Sequence, residues 1–170
     1  MEKENISSMK MTFKFILHFI LYSIIMIIIT GFIYSLIYNK IKNVIITSII
    51  STILSCVSIF IATKLSVKDI FADKTLDKEN MSKYKRNIII FFVICILINI
   101  FYYAIVYSVT ILGIDKMVNN LQISSNQDIT GIIEQAKNVQ LIITCIVAVI
   151  KSFVYVGMIK YQNKYIDKIS

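Results

Sequence analysis

Proline and tryptophan are both absent from this chain of 170 residues. Without proline no backbone N–H is missing, so long helices meet no built-in break. Glycine occurs only at Gly31, Gly113, Gly131 and Gly157, too scattered for a phosphate-cradling loop. There is a single histidine, His18, and neither a G-x-S-x-G nor an H-E-x-x-H motif, which leaves nucleophilic and metal-assisted hydrolysis without parts. No base is placed to activate a serine or cysteine, so an enzyme is not expected. The three cysteines, Cys56, Cys95 and Cys145, all fall in apolar runs without a C-x-x-C pairing. Neither a disulfide frame nor a zinc site is therefore indicated, and no cofactor is expected.

What is present is apolar side chain. Hydrophobic residues make up 57% of the chain, mean hydropathy is +0.75, and charged residues are only 16%. A soluble domain of this length needs more polar surface than that, so the chain is expected to be integral to a membrane. Heavy use of Ile, Lys, Asn, Phe and Tyr indicates an AT-rich coding genome and hence a bacterial inner (plasma) membrane. The net charge of +8 does not point to nucleic acid, because the cations flank apolar runs and form no patch with interleaved aromatics. Anionic lipid headgroups are the expected partner.

Four apolar runs follow one another at 13–38, 44–63, 88–113 and 139–159. Each is long enough to cross a hydrocarbon core of ~30 Å at ~1.5 Å per residue. The first is too long for a signal peptide and has no A-x-A-like cleavage site, so it reads as a retained helix. The expected fold is therefore an all-α membrane protein, a single domain over 1–170 with four transmembrane helices in two antiparallel hairpins. A polar loop at 64–87 joins the hairpins, and another at 114–138 separates helices 3 and 4. The first loop holds seven cations: Lys64, Lys68, Lys74, Lys78, Lys83, Lys85 and Arg86. With both termini inside, thirteen cations lie on the cytoplasmic side, and only Lys40, Lys42, Lys116 and Lys137 outside.

Both loops carry helical hints. Glu79 and Lys83 stand at i, i+4, and Ile70, Phe71, Leu76, Met81 and Tyr84 lie among the charges. That segment reads either as partly helical on the headgroup surface or as a solvated connector. In 114–138, Ser125-x-x-Asp128 is a weak capping signal, followed by Ile129, Ile132, Ile133 and Ala136 at near-helical spacing. Helix 4 is thus expected to start before the membrane, with Asp115, Asp128 and Glu134 solvated.

Inside the runs, Ser48, Ser51, Ser55, Ser58 and Ala62 recur at spacings of three and four and form a helix-packing face. It has two readings, packing against another helix of this chain or self-association between subunits. Further stripes run through Ser23, Ile27, Thr30, Tyr34 and Tyr38, and through Cys95, Asn99, Tyr103, Val106 and Thr110. Lys151 stands eight residues before Ile159, about 12 Å deep. A charge deep in hydrocarbon costs at least ~2.5–3.5 kcal/mol on insertion scales. Either its stem snorkels to the headgroups, or it belongs to an intramembrane polar layer with Ser23, Ser55 and Asn99. His18, one turn after Lys14, reads as an interfacial residue.

All ten acids fall outside the apolar runs. A proton-coupled transporter normally needs an intramembrane carboxylate. Small four-helix multidrug exporters share the helix count, but their embedded glutamate has no counterpart here. The expectation is a non-catalytic subunit of accessory, assembly or immunity type, acting by association with itself or with another membrane protein. The alternative is a small oligomeric channel or transporter using Lys151 and Asn99. A tag inserted beside Thr75 is expected to be unreachable from outside intact cells; labelling there without permeabilisation would overturn the topology.

Overall fold

The computed structural model describes residues 7–41, 43–72, 76–121 and 129–169. Among them every regular element is helical: α1 (Ser8–Tyr38), α2 (Val44–Phe71), α3 (Lys78–Leu121) and α4 (Ile129–Ile169). All four are long and apolar enough to cross a membrane.

Three starts are capped by the short polar side chains that favour this position. The Ser7 hydroxyl accepts from the Lys10 N–H at 3.3 Å. Asn43 Oδ1 accepts from the Ile45 and Ile46 N–H groups at 3.0 and 3.2 Å. Asp77 Oδ1 accepts from the Asn80 N–H at 2.7 Å, so this acid opens α3. The Ser125-x-x-Asp128 capping signal lies outside the described residues.

Helices extend well beyond the apolar runs. α2 does not stop at Thr63 but continues to Phe71, and α3 begins at Lys78 rather than at Ile88. The expected loop at 64–87 is therefore largely helix. The same holds for 114–138, since α3 runs to Leu121 and α4 starts at Ile129. Hydropathy marks where apolar surroundings end, whereas a helix needs only favourable propensity and caps. Lys, Glu, Leu, Met and Gln all supply that propensity in water. As a result Asp69, Glu79, Asp115, Glu134 and Asp167 all stand on helices.

The chain divides into two compact units. One contains α1, α2, the 78–93 part of α3 and the 153–169 part of α4. Its core is aromatic: Phe15, Phe19, Phe91 and Phe92 interlock edge to face, with centroids 5.5–6.2 Å apart. Phe92 also meets Tyr155 at 5.9 Å, and Phe71 meets Tyr84 at 5.7 Å. Phe15, Tyr84, Phe92, Gln162 and Ile166 are completely buried. Of the apolar residues set among the loop charges, Ile70, Phe71, Met81 and Tyr84 are core residues and Leu76 is half-buried.

The other unit, Ile94–Ser152, holds the remaining parts of α3 and α4. Its half-buried faces repeat at helical spacing, through Cys95, Asn99, Tyr103, Val106 and Thr110 on α3. On α4 they run through Ile133, Lys137, Gln140, Thr144, Ala148 and Lys151. Lys137 donates to Asp115, so this acid is ion-paired and not merely solvated.

Phe92→Ala should remove about 3 kcal/mol of stability, because truncating a buried aromatic leaves a cavity. Phe101→Ala, at a ring 68% exposed, should cost under ~1 kcal/mol. Thermal unfolding of both variants in detergent checks the contrast, and equal losses would refute the assigned core.

Candidate functional site

The small-residue face of α2 is only partly covered within the chain. Ser58 and Ala62 are buried, Ser48 and Ser55 are half-buried, and Ser51 is exposed. The covered face instead continues beyond the apolar run through Thr63, Ser66, Val67 and Ile70. Its hydroxyls are satisfied within the helix. Ser58 donates to the Leu54 carbonyl at 2.7 Å, Thr63 to Ile59 at 2.9 Å and Ser66 to Ala62 at 2.7 Å. Donation to the i−4 carbonyl lets a hydroxyl sit in apolar surroundings without an unpaired donor.

The four residues of the expected polar layer divide between the two units. Ser23 and Ser55 are half-buried residues of the first. Asn99 and Lys151 are half-buried residues of the second. The Asn99 side-chain amide donates to the Cys95 carbonyl on its own helix at 2.9 Å. The Lys151 ammonium lies 4.9 Å from the centroid of the Tyr103 ring. The negative face of an aromatic ring attracts a cation by ~2 kcal/mol or more when water is excluded. Tyr103 therefore offsets part of the cost of a lysine in an apolar run.

A polar cluster that the apolar pattern does not reveal joins α1 to α2. The Tyr22 hydroxyl donates to Asp69 Oδ2. His18 Nδ1 stands 4.0 Å from the same oxygen and is buried without a hydrogen-bond partner. Protonation at Nδ1 would give the ring a donor facing the carboxylate. Hydropathy alone puts Asp69 in a solvated loop, because the apolar run stops at Thr63. A signal is nevertheless present, since Ala62, Ser66, Val67 and Ile70 keep helical spacing through the charged segment.

Other cross-helix polar contacts lie in the same unit. Lys85 pairs with Asp167, and the Asn87 amide donates to the Thr12 hydroxyl at 3.3 Å. Gln162 is completely buried, with its Nε2 donating to the Tyr84 hydroxyl at 3.3 Å. Among the described residues no group of three or more His, Cys, Asp or Glu side chains gathers as a metal ion would require.

Comparison with protein-family models, curated proteins and solved structures finds no match to this chain. What the fold defines is a class: an all-helical protein with four helices fit to cross a membrane.

Tyr22→Phe and Asp69→Asn, combined in a double-mutant cycle, should show a coupling of about 1 kcal/mol, modest because the carboxylate is partly exposed. Additive losses in denaturation would mean that the contact does not join the helices.

Proposed function

We propose that this chain is a multi-pass protein of the cell inner (plasma) membrane, with two antiparallel hairpins and both termini in the cytoplasm. It is non-catalytic and works through helix association, with itself or with another membrane protein, as an accessory, assembly or immunity-type subunit. The excess of cations near the termini and at 64–87 supports this orientation. Contact between Tyr22, in the first half of α1, and Asp69, near the end of α2, supports an antiparallel first pair.

The observation that carries the association reading is the partly open small-residue row on α2. Ser58 and Ala62 are covered by the chain itself, whereas Ser51 is exposed. In lipid, close backbone approach over small residues drives helix pairing, because apolar side chains gain nothing by leaving an apolar solvent. An open stretch of such a row suits a second helix better than lipid tails. The channel or transporter alternative has less support. The Lys151 ammonium rests on Tyr103 and the Asn99 amide on Cys95, which suits packing more than transient ligand binding.

Purification from native membranes in mild detergent should recover a stoichiometric partner or a defined homo-oligomer. Ser51→Leu should reduce that recovery about tenfold, since a bulky side chain blocks close approach. A monomer in which Ser51→Leu changes nothing would overturn the association reading.

A further inference from the structure

Three of the four helices carry exposed lysines one turn apart: Lys10 and Lys14 on α1, Lys64 and Lys68 on α2, and Lys160, Lys164 and Lys168 on α4, of which Lys160 and Lys164 adjoin the apolar run. Like charges at i, i+4 repel and weaken a helix by a few tenths of a kcal/mol per pair. On α3, Lys83 and Lys85 lie two residues apart on different faces, and each holds a carboxylate of the chain: Lys83 donates to Glu79 at 2.6 Å and Lys85 pairs with Asp167. Among the described residues, the carboxylates beside two of the other pairs are engaged elsewhere. Asp69, beside Lys68, accepts from Tyr22 and faces His18. Asp167, one turn from Lys164, holds Lys85.

A second feature accompanies each pair. On α2 the face bearing Lys64 continues at helical spacing through exposed Phe60, Val57 and Ile53. On α4 the face bearing Lys160 continues through exposed Val156, Phe153 and Val149. Lys14 is followed in the same way by exposed Leu17 and Leu21 on α1. In all three cases the polar end of an exposed apolar row is a pair of ammonium groups, each with three donors. That is the shape of a phosphate with an acyl chain attached.

We propose that each of these three dibasic steps clamps the phosphate of an anionic lipid headgroup, with the acyl chain laid along the apolar row beyond it. The chain then carries three discrete lipid sites in place of a diffuse positive collar. The inference rests on the membrane reading above. A lipid is the occupant, rather than free phosphate, because the apolar rows would otherwise have no role in the site.

The test uses the full chain in mild detergent, with bound dioleoyl phosphatidylglycerol counted by native mass spectrometry against phosphatidylcholine. Lys64→Gln with Lys68→Gln, and Lys160→Gln with Lys164→Gln, should each remove one bound phosphatidylglycerol and lower its retention about tenfold. The same pairs changed to Arg should retain it, which separates charge loss from misfolding. Lys78→Gln with Arg86→Gln removes equal charge from two cations that are not one turn apart, and should lower retention no more than about twofold. Equal losses in this control, equal retention of phosphatidylcholine, or displacement by matched inorganic phosphate would each overturn the proposal. Recovery of the chain without detergent would instead overturn the membrane reading itself.

Discussion

In apolar surroundings a backbone amide or carbonyl without a partner costs several kcal/mol, so a chain as apolar as this one must satisfy its polar groups locally. Four long helices do that for the backbone. The same economy extends to side chains. Thr12, Thr30, Ser58, Thr63, Ser66, Ser108 and Thr144 all donate to the carbonyl four residues earlier. A hydroxyl that only closes on its own helix selects no neighbour, whereas Thr12 also accepts from Asn87 on α3. Among the described residues that task passes to the few polar groups that reach across, namely Tyr22 with Asp69, Lys85 with Asp167, Asn87 with Thr12, Gln162 with Tyr84 and Lys137 with Asp115.

Those contacts specify more than they stabilise. A partly exposed ion pair such as Lys85–Asp167 contributes ~0–1 kcal/mol. An interlocked aromatic pair contributes ~0.5–1.5 kcal/mol beyond the area it buries, and Phe15, Phe19, Phe91 and Phe92 form several such pairs. The aromatic cluster therefore stabilises the fold more, and the polar contacts set which residue faces which. Gln162 shows the cost of that arrangement. It is fully buried and its Oε1 has no partner, yet its amide is what meets the equally buried Tyr84 hydroxyl.

The four apolar runs were legible because period and length need no tertiary information. So was the Glu79–Lys83 pair, since i, i+4 geometry is local to one helix. The stripe from Cys95 to Thr110 also falls on a half-buried face. What escaped the sequence was whatever depends on a distant partner. Asp69 and Tyr22 are 47 residues apart, and Lys85 and Asp167 are 82 apart. Nothing local distinguishes these acids from solvated ones. Gln162 was hidden for another reason, because it lies in a tail rich in Lys, Asn and Tyr. Its helical alignment with Tyr155, Met158 and Ile166 shows the buried face only once the helix is known to continue.

The charges divide into two groups with different physical work. Among the described acids, Asp69, Asp77, Glu79, Asp115 and Asp167 each hold a neighbour, a cap or a lysine. Glu134 is exposed. Among the described residues carboxylates are thus mostly internal fastenings. Lysines outnumber them, and most of the described ones are exposed, while Lys85, Lys137 and Lys151 are half-buried. Keeping the acids for contacts within the chain leaves the excess positive charge free to act on its surroundings. The net charge of +8 follows from counts alone, eighteen cations against ten acids, whereas the placement of the carboxylates decides which cations they pair with.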